Sequence, residues 1–212
     1  MAKREHITSQ SYIDWLKSLG CVFYAPLIQG DTRDYISGQD LVVSNGTVTW
    51  AISENAYQFY GPYSLNNFIA SWKNLNLDID INNFSSSWMC EVKGNNSNIV
   101  PICFGGRNFA QAISTGYINQ WFKWATTIPA SDGVTPRYQY WYTNGNYSSS
   151  FPSGYNRGTS PTVLGSAAKL SVECNPSGTY SSIINRTYYM RSVYIFNRQL
   201  SRDEIKEIQQ IP

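Results

Sequence analysis

The sequence predicts an all-β domain with one short helix near each end. Short apolar, aromatic and β-branched runs are broken by clusters of Gly, Asn, Asp and Ser, a pattern typical of strands joined by turns. Only 14% of the 212 residues are charged, whereas 15% are aromatic. Uncharged polar residues and Tyr must therefore cover much of the surface, as in stable extracellular or virion β proteins.

The closing segment is the most informative part of the chain. An aromatic and β-branched run predicts a strand in which Arg191, Val193 and Ile195 share one face. Ser201 fits the N-cap of a following helix, and Glu204, three residues later, completes a capping box. The sequence therefore predicts a closing strand followed directly by a short capped helix.

A second helix is predicted near the N-terminus, over residues 10–19, with Ser9 as its N-cap and Gly20 as its left-handed stop. This segment divides the chain into a helical arm, residues 1–20, and a sandwich domain, residues 21–212. Two interpretations of the helix stay open, because its apolar stripe could pack on its own domain or dock on a partner or neighbouring subunit. The stripe consists of Tyr12, Ile13, Leu16 and Leu19.

The segment FNRQLSRDEI at residues 196–205 resembles the closing tail of the laminin-G-like, or concanavalin A-like lectin/glucanase, jelly roll. That resemblance implies a two-sheet antiparallel jelly-roll sandwich. Weaker similarities follow in the family's order and extend the resemblance over about residues 20–210. They are VFYAPL at 22–27, DYISG at 34–38, AYQFYG at 56–61, YWYTNG at 140–145 and VLG at 163–165.

Composition and charge exclude several classes of function. The net charge is +2, and Lys and Arg are scattered, so no nucleic-acid partner is expected. No run approaches the roughly 18 apolar residues of a membrane span, so no membrane insertion is expected. The charged start is not followed by an apolar stretch, which argues against a secretory signal. We expect synthesis in a host cytoplasm, with release inside an assembled particle as one route to the outside.

No catalytic constellation is apparent. A retaining glucanase needs two carboxylates about 5 Å apart, and the family's catalytic strand resembles E-x-D-x-E, which this chain lacks. The nearest approach is Asp78 and Asp80, whose apolar neighbours place them on the solvent face of a strand. His6, the single histidine, precedes the first helix, which excludes His-dependent nucleophilic catalysis within the domain. The chain is expected not to be an enzyme.

Calcium is the one cofactor considered. Asp31, Asp34 and Asp40 cluster in one loop region, and the resemblance implies a calcium site near a sandwich edge. The alternative is that these short acids stabilise turns.

Carbohydrate is the favoured ligand class, because the flat apolar faces of aromatic rings match the C–H faces of sugars. The chain has 7 Trp and 16 Tyr among abundant Asn. Alternation leaves open which face of each aromatic strand is outward, and cross-strand aromatic pairs that stabilise the sheet are the alternative interpretation. The candidate ligand-binding residues are Trp121, Trp124, Tyr138, Tyr140 and Tyr142.

These features favour a non-enzymatic virion surface component: a bacteriophage head fibre, decoration protein or tail-associated protein. The predicted partners are further copies of the chain in a homotrimer, other virion proteins and host-surface glycans. The alternative is a carbohydrate-binding module of a secreted bacterial protein. A glycoside hydrolase is the third class considered.

Overall fold

The structure, a computed structural model, describes residues 6–63, 70–72, 85–95, 102–104, 107–108, 117–129, 134, 138–144, 146–147, 155–156, 170–172 and 184–210. The helices are α1 (Gln10–Ser18) and α2 (Arg202–Gln210), and a 3-10 turn (His6–Thr8) precedes α1. The strands are β1 (Cys21–Ala25), β2 (Leu41–Val43), β3 (Thr47–Ala51), β4 (Ala56–Tyr63), β5 (Ala70–Trp72), β6 (Ser86–Gly94), β7 (Ile102–Phe104), β8 (Arg107–Asn108), β9 (Phe122–Ile128), β10 (Tyr138–Thr143), β11 (Asn146–Tyr147), β12 (Tyr155–Asn156), β13 (Leu170–Val172) and β14 (Ile184–Phe196).

The strands form two antiparallel sheets. The larger sheet runs in the order β11-β10-β9-β6-β14-β4-β3, with β1 also paired to β14 and β12 to β10. The smaller sheet has the order β2-β5-β13-β7-β8. The predicted two-sheet antiparallel sandwich with a short helix at each end is confirmed.

The closing strand β14 lies in the middle of the larger sheet. It pairs with β6 along one side and with β4 and then β1 along the other. Its register against β6 shifts between Met190 and Ser192, so that Arg191 is the extra residue of a β-bulge. The bulge breaks the strict alternation of faces along β14.

The main hydrophobic core lies between the two sheets. Inward-facing side chains of β1, β4, β6, β9 and β14 pack there against the buried Trp72 of β5. Phe23 meets the Trp72 ring edge-on, with 5.0 Å between ring centroids, and Phe59 stacks on Tyr188 at 5.2 Å. The face of the larger sheet that packs in this core is its inner face, and the opposite face is its outer face.

One end of the outer face is apolar and is covered by both helices. Tyr24 of β1 stacks on Tyr194 of β14, with 4.7 Å between ring centroids. Leu16 of α1 and Ile205 of α2 are fully buried in the same cluster. We call this region the covered half of the outer face.

The apolar stripe of α1 packs against the chain's own sandwich. Ser9 caps the helix by accepting a hydrogen bond from the Tyr12 backbone N–H at 3.3 Å, and Gly20 ends it with φ +83°. The docking interpretation of this stripe is wrong for this structure, because the apolar outer face requires cover and α1 supplies it. Tyr12, Ile13 and Leu16 are buried there, and Leu19 is partly buried. Residues 1–5 of the proposed arm lie outside the described residues, and the division at residue 20 stays a prediction.

The capped helix α2 follows β14 as predicted. The Ser201 N–H donates to Glu204 Oε2 at 2.8 Å, and the Glu204 N–H donates to Ser201 Oγ at 3.3 Å. The buried Ser87 hydroxyl donates to the Arg198 carbonyl at 2.9 Å and accepts from the Leu200 N–H at 2.8 Å. These contacts fasten the start of α2 to β6. Neither helix of the described chain combines the length and the apolar character needed to cross a membrane.

Candidate functional site

Beyond the helices, the outer face of the larger sheet becomes polar and contains a cleft of about 490 Å³. We call this region the open half and its cavity the cleft. The cleft lies between the start of β9, the turn after β10 and the C-terminal part of α2. It is lined by Glu91, Trp121, Phe122, Lys123, Asn144, Lys206, Gln209 and Gln210.

Arg191 organises the open half. Its guanidinium Nη1 donates to Glu91 Oε1 at 3.0 Å, and Nη2 donates to the backbone carbonyl of Glu54 at 2.8 Å. Its Cζ atom also lies 3.8 Å from the centroid of the Trp121 ring, a close cation–π contact. Because the bulge turns Arg191 to the outer face, the expectation that it shares a face with Val193 and Ile195 is wrong.

Trp121 is held from a second side by Glu54. The indole Nε1–H donates to Glu54 Oε2 at 3.1 Å, and Lys93 Nζ lies 2.7 Å from Glu54 Oε1. The hydrogen bond from Lys93 holds the pKa of Glu54 below its ordinary value, and the Trp121 hydrogen bond acts in the same direction. The ring is therefore positioned by fixed charges before any ligand arrives.

Lys123 joins β9 to the end of α2. Its ammonium donates to the backbone carbonyl of Gln209, and burial lowers its pKa. The Lys123 N–H donates to Asn144 Oδ1 at 2.8 Å, while the Asn144 N–H returns a bond to the Lys123 carbonyl at 2.8 Å. Asn144 has φ +50°, a left-handed conformation that Asn tolerates better than most residues. One side-chain and one backbone hydrogen bond thus fix Asn144 in the wall of the cleft.

The two predicted Trp candidates have different locations. Trp121 lines the cleft, as a ligand-binding aromatic residue should. Trp124 is buried in the core between the sheets, with 2% of its surface exposed, so its assignment as a ligand-binding residue is wrong. It shares the inner face with Phe122 and Ile128. The alternation of β9 therefore sends Trp121 and Lys123 to the outer face.

Tyr140 and Tyr142 of β10 are on the outer face but do not line the cleft. Tyr142 pairs with Ala125 and packs against the cluster under the helices. Tyr140 pairs with Thr127 and is half-buried. The side chain of Tyr138 lies outside the described residues, so its assignment stays a prediction.

The three acids proposed for calcium have other partners or positions. Asp34 is fully buried and accepts hydrogen bonds from the N–H groups of Tyr24 at 2.8 Å, Ile36 at 3.0 Å and Ser37 at 2.9 Å, and from the Ser37 hydroxyl. Asp31 pairs with Arg33 at 2.8 Å. Asp40 is exposed.

The calcium interpretation of this loop is wrong for the structure, and turn stabilisation is the function of Asp34. Its carboxylate is already occupied by donors, which a cation would have to displace. In the ranges that the structure describes, no group of three or more His, Cys, Asp and Glu side chains could hold a metal ion.

The acids considered for hydrolysis cannot be compared with the cleft. Asp78 and Asp80 lie outside the described residues. The acid that lines the cleft, Glu91, is ion-paired with Arg191, and Glu54 beside it is ion-paired with Lys93. The hydrogen bond from Lys93 lowers the pKa of Glu54, which opposes the protonated state that a general acid needs.

Of the residues that line the cleft, sequence reasoning named only Trp121 as a candidate. Among the residues of this region that it missed are Glu91, Lys123, Arg191 and Gln209. Two signals could have pointed to them. Lys123 interrupts an aromatic run, so alternation around it separates the inward from the outward rings. Arg191 is a charge inside an aromatic strand, which indicates a polar partner on one sheet face.

Comparison with known proteins identifies the fold. No protein-family model matches the chain, and no curated protein matches it. Solved structures do match. A botulinum neurotoxin serotype D/C binding domain has a TM-score of 0.62 at 12% identity, covering 90% of this chain and 52% of that one.

Two further neurotoxin structures are similar. A type C structure, concerned with that toxin's interaction with two ganglioside molecules, has a TM-score of 0.60 at 15% identity, covering 92% of this chain and 52% of that chain. A DC binding domain in complex with rat synaptotagmin II has a TM-score of 0.53 at 13% identity, covering 90% and 51%. The chain spans about half the length of these structures, and at such identities the likeness shows the β-sandwich fold.

Proposed function

We propose that the chain is a non-enzymatic glycan-binding sandwich and that the cleft is its binding site. The observation that carries the proposal is the immobilised ring of Trp121 beside Lys123, Asn144 and Gln209 in one cavity of about 490 Å³. Aromatic rings cover the apolar faces of sugars, while amide and charged groups bond to their hydroxyls. A site fixed before binding loses little entropy when it takes up ligand.

The solved neighbours support the same ligand class. They are binding domains, and the type C toxin interacts with two ganglioside molecules, which are glycolipids. Another is bound to rat synaptotagmin II. The experiment must therefore distinguish binding of a glycan from binding of a protein.

A glycan array probed with the full chain, followed by NMR titration of the sugars it captures, tests the proposal. Trp121→Ala should lose about fivefold or more in affinity, taking for a stacked sugar the roughly 1–3 kcal/mol that a nucleic-acid base stacked on an aromatic side chain contributes. The matched control is Tyr60→Ala, which removes an aromatic side chain that is 42% exposed and does not line the cleft. Equal affinity in the wild type and Trp121→Ala would contradict the assignment of the cleft.

We further propose that the domain is displayed as a homotrimer on a virion surface. The uncharged polar composition supports exposure outside a cell, and the trimer contact must use a surface other than the buried stripe of α1. Light scattering on the full chain tests the trimer, and a monomeric mass would overturn it.

Mass spectrometry of purified virus particles and of the secreted fraction tests where the chain is located. Recovery of the chain from virus particles would support display on a virion. Recovery only as part of a larger secreted protein would establish the alternative, a secreted binding module, which the likeness to toxin binding domains favours.

A further inference from the structure

A small recess of about 30 Å³ lies beside the cleft. Glu91, Lys123 and Gln209 line both cavities, so the recess adjoins the proposed binding site. At roughly 10–15 Å³ for each water-sized group, the recess has room for about two such groups. A sugar ring is too large to enter it, but a short substituent of the ring is not.

Two side chains that line the recess have buried polar atoms without a partner. These atoms are Nε2 and Oε1 of Gln209 and Nε of Arg191, and none of them has a hydrogen-bond partner within the described part of the chain. The other nitrogens of Arg191 are occupied, since Nη1 donates to Glu91 and Nη2 to the Glu54 carbonyl. Gln209 offers a donor and an acceptor, whereas Arg191 Nε–H is a donor only. A group that enters the recess can therefore donate to one side chain and accept from the other.

Charge alone does not select this group, because both signs are present. Lys123 and Arg191 bring positive charges to the lining, and Glu91, which is paired with Arg191, brings a negative one. Hydrogen-bonding capacity does discriminate. A carboxylate only accepts and leaves Gln209 Oε1 unpaired, an ammonium only donates and leaves Arg191 Nε unpaired, and a methyl group pairs with neither. A hydroxyl group both donates and accepts, so it is the smallest group that can bond to both side chains.

The position of Arg191 connects the recess to the aromatic ring of the cleft. Its Cζ atom lies 3.8 Å from the centroid of the Trp121 ring, so a side chain that lines the recess contacts the ring on which a sugar is proposed to stack. A hydroxyl attached directly to a sugar ring extends only one bond from it. The C6 hydroxymethyl group of a hexopyranose extends one bond further and consists of one carbon and one oxygen, which fits the size of the recess.

We propose that the cleft selects hexoses with a free primary hydroxyl group and that their C6 hydroxymethyl group enters the recess. There the hydroxyl donates to Gln209 Oε1 and accepts from Arg191 Nε–H, so that each bond goes to a different side chain. This inference rests on the proposed function of the cleft. It names the sugars that the cleft accepts, and it excludes pentopyranoses, 6-deoxy sugars and uronates from the same mode of binding.

The test is an NMR titration of the full chain with the methyl glycosides of glucose, galactose and mannose. Each is compared with its 6-deoxy analogue and with its 6-carboxylate. At least one hexoside should bind about tenfold or more tightly than both of its analogues, because the deoxy sugar loses two hydrogen bonds and the carboxylate cannot donate to Gln209. In saturation-transfer difference spectra of that hexoside, the C6 protons should receive the strongest saturation, since the recess encloses them.

Gln209→Leu removes the acceptor at similar volume. The preference for the hexoside over its 6-deoxy analogue should fall about fivefold or more, the value of one hydrogen bond. The melting temperature should stay the same or rise, since two unpaired polar atoms are removed, and this separates loss of the site from loss of the fold. Gln199→Leu is the matched control, because Gln199 is exposed and lines neither cavity, and the preference should survive there.

Four results would overturn the inference and leave the proposed function standing. They are equal binding of the hexosides and their 6-deoxy analogues, tighter binding of a 6-carboxylate, a preference that survives Gln209→Leu, and binding of none of the three hexosides when the array captures other glycans. Capture of no glycan by the array would overturn the proposed function as well.

Discussion

The covered and open halves of the outer sheet face differ in what their side chains require. In the covered half, Tyr24, Tyr194 and Met89 present an apolar surface, and α1 and α2 cover it. In the open half, Glu91 and Arg191 form an ion pair at 3.0 Å, which makes this part of the sheet surface polar. A single sheet therefore supplies both a stable base and an accessible site.

The largest expected loss of stability is at Asp34, in the loop that follows β1 and is bonded to that strand in the covered half. Asp34→Ala leaves three backbone N–H groups without their acceptor, so the free energy of unfolding should fall by about 3 kcal/mol or more. Asp40→Ala, at an exposed position, should change it by less than about 0.5 kcal/mol. Urea denaturation followed by Trp fluorescence measures both. If calcium raised the urea midpoint of the wild type, the result would instead support a metal site in this loop.

The next largest loss of stability is expected when a buried side chain of α1, one of the two helices that cover the sheet, is truncated. Leu16→Ala opens a cavity at a fully buried position and should lower the free energy of unfolding by about 2–5 kcal/mol. Ile52→Ala serves as the control, because Ile52 is 82% exposed and its truncation should change stability by under about 0.5 kcal/mol. Similar losses in the two variants, measured by chemical denaturation, would contradict the burial of α1.

The start of α2 should make the covered half sensitive to acid. The hydrogen bond from Arg198 lowers the pKa of Glu204 to about 2 from its ordinary 4.5. The unfolded chain therefore binds this proton first, and stability that is fully present above pH 4.5 is lost as the pH falls toward 2.

We expect a loss on the order of 1–2 kcal/mol from this partly exposed pair. Glu204→Gln should flatten the profile of unfolding free energy between pH 4.5 and 2. If the unfolding free energy of Glu204→Gln still fell with pH as steeply as that of the wild type, carboxylates other than Glu204 would be responsible for the loss of stability in acid.

The smallest stability effect is expected in the open half. Glu54→Gln weakens a partly exposed ion pair with Lys93 and should cost under about 1 kcal/mol, less at high salt. Binding of glycan should fall more clearly, because Glu54 also orients Trp121. Denaturation at two salt concentrations and an NMR titration separate the two effects. If Glu54→Gln lost as much stability as Leu16→Ala, the open half would be as important for stability as the covered half, which would contradict the comparison.

The parts of the fold that depend on neighbouring residues were predictable from sequence. Ser9, Ser201 and Glu204 act within three positions of their partners, so their caps could be inferred without knowledge of the sheets. The two-sheet sandwich followed from the family resemblance of the chain.

The candidate site depended on pairings that sequence does not show. The outward position of Arg191 results from a bulge that is defined only by the register against β6, and one extra residue reverses the period-two rule. Trp124 was misassigned because alternation defines two faces of β9 without identifying the buried one. Gln209 belongs to the cleft only because α2 packs back onto the sheet.

The central place of β14 has a consequence for biosynthesis. Tyr24 pairs with Tyr194, and Phe59 pairs with Tyr188, so early parts of the chain need a partner that the ribosome makes late. Until then, β4 and β6 each carry an unpaired edge that invites aggregation. Pairing across such long loops is also slow. The domain should therefore fold mainly after β14 has been synthesised, and chaperones that shield strand edges should raise its yield.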